Sequence, residues 1–444
     1  MTNREIDMMI DSKEPIISVG VMSEKSIAFS LLGEYVEKVS GDDIEPGRYE
    51  AECRDGKVIF RGKTYEELTL IPKATASQFE LHEVCIGIGF HWERRETQKF
   101  AGQLSFVVDG EKLWAVNRLS IEDYLYCVIA SEMSATSSLE LLKAHAVVSR
   151  SWLMAQLVKG EKLKDKHYIS ETCTEDEIVK WYDREDHTLF DVCADDHCQR
   201  YQGLTRASND VVRRAIDETR GEVLVYKGEI CDARFSKCCG GMTELFETCW
   251  EPEEHGYLQS FVDYTHRQHE YDQDLTKEEA AQAWIKSSPE AFCNTQDAKI
   301  LRQVLNSYDQ ETSDFYRWRE KYSFIEMKEI IERKSGIDFG DIENMEVIER
   351  GPSGRVKRLK IIGSKRTMTI GKELEIRRIL SESHLYSSAF VVEKTQEGFE
   401  LYGAGWGHGV GMCQIGAAVM SARGMGYKTI VLHYFRRAML EKRW

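Results

Sequence analysis

Long apolar runs are missing from this sequence. Nothing in it approaches the roughly eighteen consecutive apolar residues that a membrane span needs, and the stretches around Val128 and Val147 are short and interrupted. A helical bilayer crossing is therefore excluded. The opening MTNREIDMMIDSKEP has acidic groups where a secretory leader would carry a basic head and then an apolar stretch. The expected location is thus cytoplasmic, unless a leader has been trimmed. Basic charge is also in deficit: 59 Lys plus Arg stand against 75 Asp plus Glu, a formal charge of -16. Such a surface repels nucleic-acid phosphates and anionic membranes, which leaves a neutral or locally bound substrate. The 12 cysteines in 444 residues are too sparse for a disulfide scaffold. The adjacent Cys238 and Cys239 would also be awkward in one, so metal binding or plain burial fits better. No internal repeat and no low-complexity linker marks a domain border.

What is present is a globular composition, 42% hydrophobic, enough for a sizeable core. Strand signals lie at Ile16 to Met22, at Lys57 to Arg61 and at Thr64 to Leu70, with a turn at Gly62. Asp109-Gly110 sits between Phe106-Val107-Val108 and Leu113-Trp114-Ala115-Val116, which reads as a hairpin. Ser137 with Glu140 has capping-box spacing. A helix is expected from there, with Leu139, Leu142, Ala146, Ser149, Leu153 and Leu157 on one stripe and Gly160 to end it. A second capping box is read at Thr276 and Glu279, with helical periodicity running on through Ile331. Strands return at Met345 to Ile348, Val356 to Ile362 and Phe390 to Val392, with a turn at Gly351-Pro352-Ser353-Gly354. These signals predict an α+β fold in four parts: a β-rich part over 1–103, a core over 104–260, a helical insertion over 261–345, and a C-terminal part over 346–444 that completes the core.

Three ordered blocks carry the chemistry. The first contains Asn117, Leu119, Glu122-Asp123-Tyr124-Leu125, Ser131-Glu132-Met133, Leu142-Lys143-Ala144-His145-Ala146 and Arg150. The second is Cys239-Gly240-Gly241-Met242-Thr243-Glu244, followed by Trp250 and Gly256-Tyr257-Leu258. The third is Gly405-Trp406-Gly407-His408-Gly409-Val410-Gly411-Met412, with Gln414 and Gly416-Ala417 after it. Together with Ile16 to Met22 and Ser353-Gly354-Arg355, they resemble the SpoIID/LytB family over nearly the whole chain. The resemblance implies a β-rich SpoIID domain and a cell-envelope setting. It also implies either a lytic transglycosylase acting on peptidoglycan glycan strands or muropeptides, or a non-catalytic enhancer of a cell-wall amidase. For the enzyme it implies Glu132 as the proton-transfer residue, cleavage of the MurNAc-GlcNAc β-1,4 bond and a 1,6-anhydroMurNAc product. One carboxyl suffices there, because the muramic C6 hydroxyl replaces water as the attacking group. The chain departs from the family just after the Glu-Met pair, where Ser134-Ala135-Thr136-Ser137-Ser138 replaces the usual prolines and tryptophan; that affects substrate preference more than chemistry. Fragments imported during wall recycling would reconcile this substrate with the missing leader.

Apolar neighbours from Cys127 to Ala130 favour a protonated Glu132, whereas a helix start just beyond it would favour the charged form. Arg150, off the apolar stripe of its helix, either orients substrate or makes a structural ion pair. Glu122 and Asp123 are further polar candidates.

His187, Cys193, His197 and Cys198 place two imidazoles and two thiols within twelve residues, a donor set that tetrahedral zinc prefers. The alternative is a surface loop with merely buried cysteines. The spacing resembles the zinc-binding stretch of a clostridial family member, with one residue fewer between Cys193 and His197, so Cys173 is an alternative fourth ligand. Four protein ligands leave no open position, so one structural ion is expected rather than a zinc hydrolase.

The alternating glycines from Gly403 to Gly411 allow close backbone approach or positive φ, and their spacing does not fit GxGxxG. Trp406 and His408 are either sugar contacts or packing within the bend. Ser236, Cys239 and Gly240 are assigned to the groove lining of the second block and Gln414 to that of the third. No Cys-His-Asn order supports a cysteine nucleophile.

Overall fold

A single buried stripe explains the first strand. Ile17, Val19 and Val21 point inward along β1 (Ile16–Glu24), as alternation on a half-buried strand requires. The computed structural model describes residues 14–444 apart from 88–92, 135, 164–169, 183–186, 196–197, 206–209, 266–272 and 305–313. The chain forms two compact units, each assembled from separated stretches: one from Met1–Ala135, Arg184–Glu222 and Lys442–Trp444, the other from Thr136–Asp183 and Val223–Glu441.

In the first unit β1 lies antiparallel to β3 (Lys112–Ser120), which pairs with β2 (Gln103–Asp109) through the expected Asp109-Gly110 hairpin. The short β4 (Val192–Cys193) joins β1 in parallel, with Gly20 opposite Cys193. These belong to a seven-stranded sheet; a six-stranded antiparallel sheet spans residues 26–101. Phe29, Phe60, Phe79, Phe100 and Phe106 form the aromatic core of this unit, with Phe29 and Phe106 ring centroids 5.0 Å apart. From β3 the chain runs straight into helix α1 (Ile121–Glu132), whose N-cap Ser120 accepts from the Asp123 N–H at 3.2 Å. Ile121, Leu125 and Val128 are fully buried. Glu132 continues the same helical stripe, and so ends α1 half-buried on its packed side.

The second unit is built around α2 (Leu139–Leu163), buried on every side from Ala144 to Met154, Arg150 included. Its central helix packs all round, rather than by the one-sided stripe that the sequence suggests. Gly160 lies inside the helix and does not end it. The cap is one residue later than expected: Ser138 Oγ accepts from the Leu141 N–H at 3.4 Å, while Ser137 donates to the Gln303 carbonyl. A five-stranded sheet includes Ile342–Arg350, Val356–Gly363 and Thr367–Gly371, and a three-stranded sheet includes Phe390–Lys394 and Gly398–Ala404. Val356, Leu359, Ile361, Ile376 and Leu401 share their core. Residues 261–345 contribute helices Glu278–Lys286, Ala298–Val304 and Phe324–Ser335, and also the strand Arg317–Ser323. No side chain caps the Glu278–Lys286 helix, so Thr276 and Glu279 are not a capping box; that device is found at Ser323 and Glu326. The architecture is α+β and β-rich.

Candidate functional site

Glu132 sits at the carbonyl end of α1, not before a helix start in its own unit, so the partial charge it meets is negative. Its Oε1 accepts a hydrogen bond from the Arg200 backbone N–H at 3.2 Å. That donor is fixed by the next residue. Tyr201 is 1% exposed, stacks on Tyr124 at 5.2 Å and 15°, and donates to Asn117 Oδ1 at 2.5 Å. Asn117 in turn donates to the Ala101 and Gln103 carbonyls. The first sequence block therefore builds a rigid support behind one carboxylate. Its other two acids are structural: Glu122 accepts from the Gly221 N–H at 3.0 Å and the Trp444 indole at 2.9 Å, and Asp123 pairs with Arg213.

Beside this support lies a cavity of about 440 Å³ lined by Gly20, Trp114, His187, Cys193, Arg200 and Gln202, among others. His187, Cys193 and Cys198 offer donor atoms all within 4.8 Å of one another, and Cys198 Sγ is 3.5 Å from His187 Nε2. Two thiols and an imidazole in this arrangement suit a zinc ion. His197 lies outside the described residues, so the structure gives no position for that expected ligand. Phe190 packs against His187 and Trp114 and seats the group on the sheet.

In the second unit the remaining blocks fold on one another. β5 (Phe235–Ser236) pairs in parallel with β6 (Met412–Cys413), Cys238 bridges Trp406, and the Glu244 N–H reaches the Gly409 carbonyl at 2.9 Å. Arg355 is fully buried and donates to the Cys239 carbonyl and, at 3.1 Å, to the Gly407 carbonyl. A Cβ at Gly409 would collide with that guanidinium, and its φ of 76° is in the left-handed region, so only glycine suits the position. Glu244 is buried too; burial raises its pKa, opposed by Ser353, whose hydroxyl and N–H both donate to it.

The first and third blocks meet through α2 and α3 (Gln414–Ala422). Gln414 Nε2 lies 2.8 Å from His145 Nε2, and His145 Nδ1 lies 3.1 Å from Ser149 Oγ. Burial, then the Lys237 charge, pulls the His145 imidazole down to about 3. Its neutral form accepts from the Gln414 amide.

Of the expected groove residues, Arg150, Ser236, Cys239, Gly240 and Gln414 are enclosed, whereas Trp406 and His408 are half-buried. Ser236 Oγ accepts from the Gly409 N–H. His408 Nδ1 accepts from the Val410 N–H at 3.0 Å, and the ring is also bonded to the Phe235 backbone. Burial and the Arg234, Arg355 and Arg377 charges hold this imidazole well below its usual range, so it is a neutral brace within the bend. Trp406 stacks nearly parallel on Phe315 at 5.1 Å and meets Tyr386 edge-on at 5.4 Å.

A second group of possible metal donors, missed by the local spacing, is Cys239, Asp263, Cys293 and Cys413.

Comparison with known proteins agrees with these blocks. A family model described as Stage II sporulation protein, SpoIID, matches residues 109–226, the stretch that builds the Glu132 support. The chain thus carries a SpoIID domain and is similar to proteins of the SpoIID/LytB family. A domain of unknown function, DUF8618, matches residues 244–411. An uncharacterised protein of Brachyspira hyodysenteriae is 27% identical over 76% of this chain and 71% of its own length. Stage II sporulation protein D of Bacillus subtilis is 21% identical over 74% of this chain and 76% of the relative. The amidase enhancer of Bacillus subtilis is 24% identical over 69% of this chain but 39% of that protein.

Proposed function

We propose that this SpoIID-domain protein is a peptidoglycan lytic transglycosylase with Glu132 as its single acid and base. The observation that carries the reading is a half-buried carboxylate at the end of α1, held through Oε1 by the main chain of Arg200 beside a cavity. The neutral carboxylic acid gives its proton to the glycosidic oxygen between MurNAc and GlcNAc as the C1–O bond breaks. The resulting carboxylate then takes the proton of the muramic C6 hydroxyl as O6 bonds to C1. The product is a 1,6-anhydroMurNAc end, and no water is consumed.

The half-buried Trp406 offers an aromatic ring for sugar stacking; Ser236, Cys239, Gly240 and His408 shape the bends next to it, and Arg150 and Gln414 are carried on α2 and α3. His187, Cys193 and Cys198 would hold a zinc ion, with His197 as fourth ligand, since Cys173 is exposed and is not among the gathered donors; the ion would supply cross-linking of the loop, not bond breaking. Peptide-free glycan strands or muropeptide fragments are the substrates.

Glu132→Gln should keep the fold and lower the rate about 100 to 10,000-fold, the usual range for a general acid or base. Mass spectrometry of digested denuded glycan reads this directly. Anhydro products at the parental rate from the purified variant would remove Glu132 from the mechanism. The similarity to an amidase enhancer supports a second reading, a non-catalytic glycan-binding partner of a cell-wall amidase. In that case Glu132→Gln leaves amidase stimulation intact and no anhydro sugar forms with either protein.

A further inference from the structure

Four buried side chains converge in the second unit from well-separated stretches of chain. Cys239 lies in the bend after β5, Asp263 and Cys293 lie in the two segments that follow, and Cys413 caps the start of α3. One donor atom of each is within 4.8 Å of every other. Their exposures are 3%, 0%, 2% and 0%, so water solvates none of them appreciably. Three thiols and a carboxylate packed this way are stable together only as neutral acids or around a cation, because their ionised forms repel in a low dielectric.

The distances also match a bound cation. Cys239 Sγ is 3.4 Å from Asp263 Oδ2 and 3.5 Å from Cys293 Sγ. With zinc–sulfur bonds of about 2.3 Å and zinc–oxygen bonds of about 2.0 Å, tetrahedral edges are about 3.5 to 3.8 Å. A disulfide would require about 2.05 Å. The surroundings are also those of ligands held in place. Cys413 Sγ accepts from the Cys239 N–H at 3.2 Å and the Gly416 N–H at 3.4 Å. Asp263 takes His433 Nε2 on Oδ1 at 2.9 Å and the Tyr434 hydroxyl on Oδ2 at 3.1 Å, which fixes the carboxylate plane. Such outer partners orient metal ligands. Gly416 has no room for a side chain because Asp263 and Tyr434 fill the space.

We propose that Cys239, Asp263, Cys293 and Cys413 bind one zinc ion, separate from the His187, Cys193 and Cys198 group. Three thiolates and one carboxylate match the ion's preference for tetrahedral sulfur-rich sites. With all four positions filled by protein, the ion is structural. It ties the second block to the start of α3 and hence to the third block. Burial pushes the Cys239 and Cys293 thiols up, whereas at Cys413 it is outweighed by hydrogen bonds from Cys238, Cys239 and Cys293 that hold the thiol down. Zinc would displace the remaining thiol protons. Cys238, which also faces Cys293 and Cys413, lies outside the four and serves as a control.

The test is zinc content of the full chain purified without chelator, by elemental analysis and native mass spectrometry. The expected result is an ion that survives in Cys238→Ser and in the Cys193→Ser/Cys198→Ser double variant, and is lost when Cys293→Ser is added to that double variant. The double variant makes the outcome independent of the first metal group. If Cys293→Ser does not fold, alkylation of the parent chain decides instead: Cys239, Cys293 and Cys413 should resist modification until a strong chelator is added, and then react together. Absence of zinc from the double variant would overturn the proposal, as would a Cys239–Cys293 disulfide in the unreduced chain.

Discussion

At the scale of single residues, the placement of charge and proton follows from what surrounds each group. His145 is the clearest case. Its folded pKa of about 3 lies below the ordinary 6.5, so folding favours the neutral ring, and that contribution is fully present above pH 6.5. It is lost as pH falls toward 3, at about 1.4 kcal/mol per unit. Denaturant titrations at pH 6.5 and 5 should show about 2 kcal/mol of acid loss that His145→Gln lacks; equal losses in both proteins would show that the ring does not carry it. The candidacy of Glu132 came from its block alone, and its environment was not legible there. Arg200 and Tyr201 are remote in sequence and carry no recognisable spacing to it. The Cys239, Asp263, Cys293 and Cys413 group was hidden for the same reason: adjacency of Cys238 and Cys239 was visible, but Asp263 is one acid among 75 Asp plus Glu.

At the scale of elements, legibility tracked how local the determining signal is. The Asp109-Gly110 hairpin and the strands near Val356 and Phe390 were set by turn residues and alternation, and they lie where expected. Helix α1 was not among the expected elements, although Ser120 followed by Asp123 and the apolar positions Ile121, Tyr124, Leu125 and Val128 announce it. The ends of α2 were misplaced because tertiary packing, absent from any local rule, extends that helix past Gly160 and caps it from Ser138. Since α1 carries Glu132 at one end and its cap at the other, the cap can be tested apart from the chemistry proposed for that carboxyl. Ser120→Ala should cost about 1 kcal/mol of stability, measured by thermal or urea unfolding, with the rate on glycan nearly unchanged well below the transition.

At the scale of the whole molecule, the formal charge of -16 and a sequence pI of 5.4 set the long-range field, and the two compact units set the topology. Neither unit is a continuous piece of chain, which no composition shift or linker in the sequence foretold. The first unit ends with Trp444, whose indole donates at 2.9 Å to the buried Glu122 of α1. Trp444→Phe keeps the ring and deletes the donor, and should cost about 1.5 to 3 kcal/mol, the range for a hydrogen bond to a charged group; calorimetry would read it as a lower melting temperature. The same contact joins positions 322 residues apart. During synthesis, α1 emerges from the ribosome long before its partner does. Glu122 must wait, solvated or chaperoned, while the stretches of the second unit that lie between it and Trp444 are translated, so a unit begun before the second is completed after it.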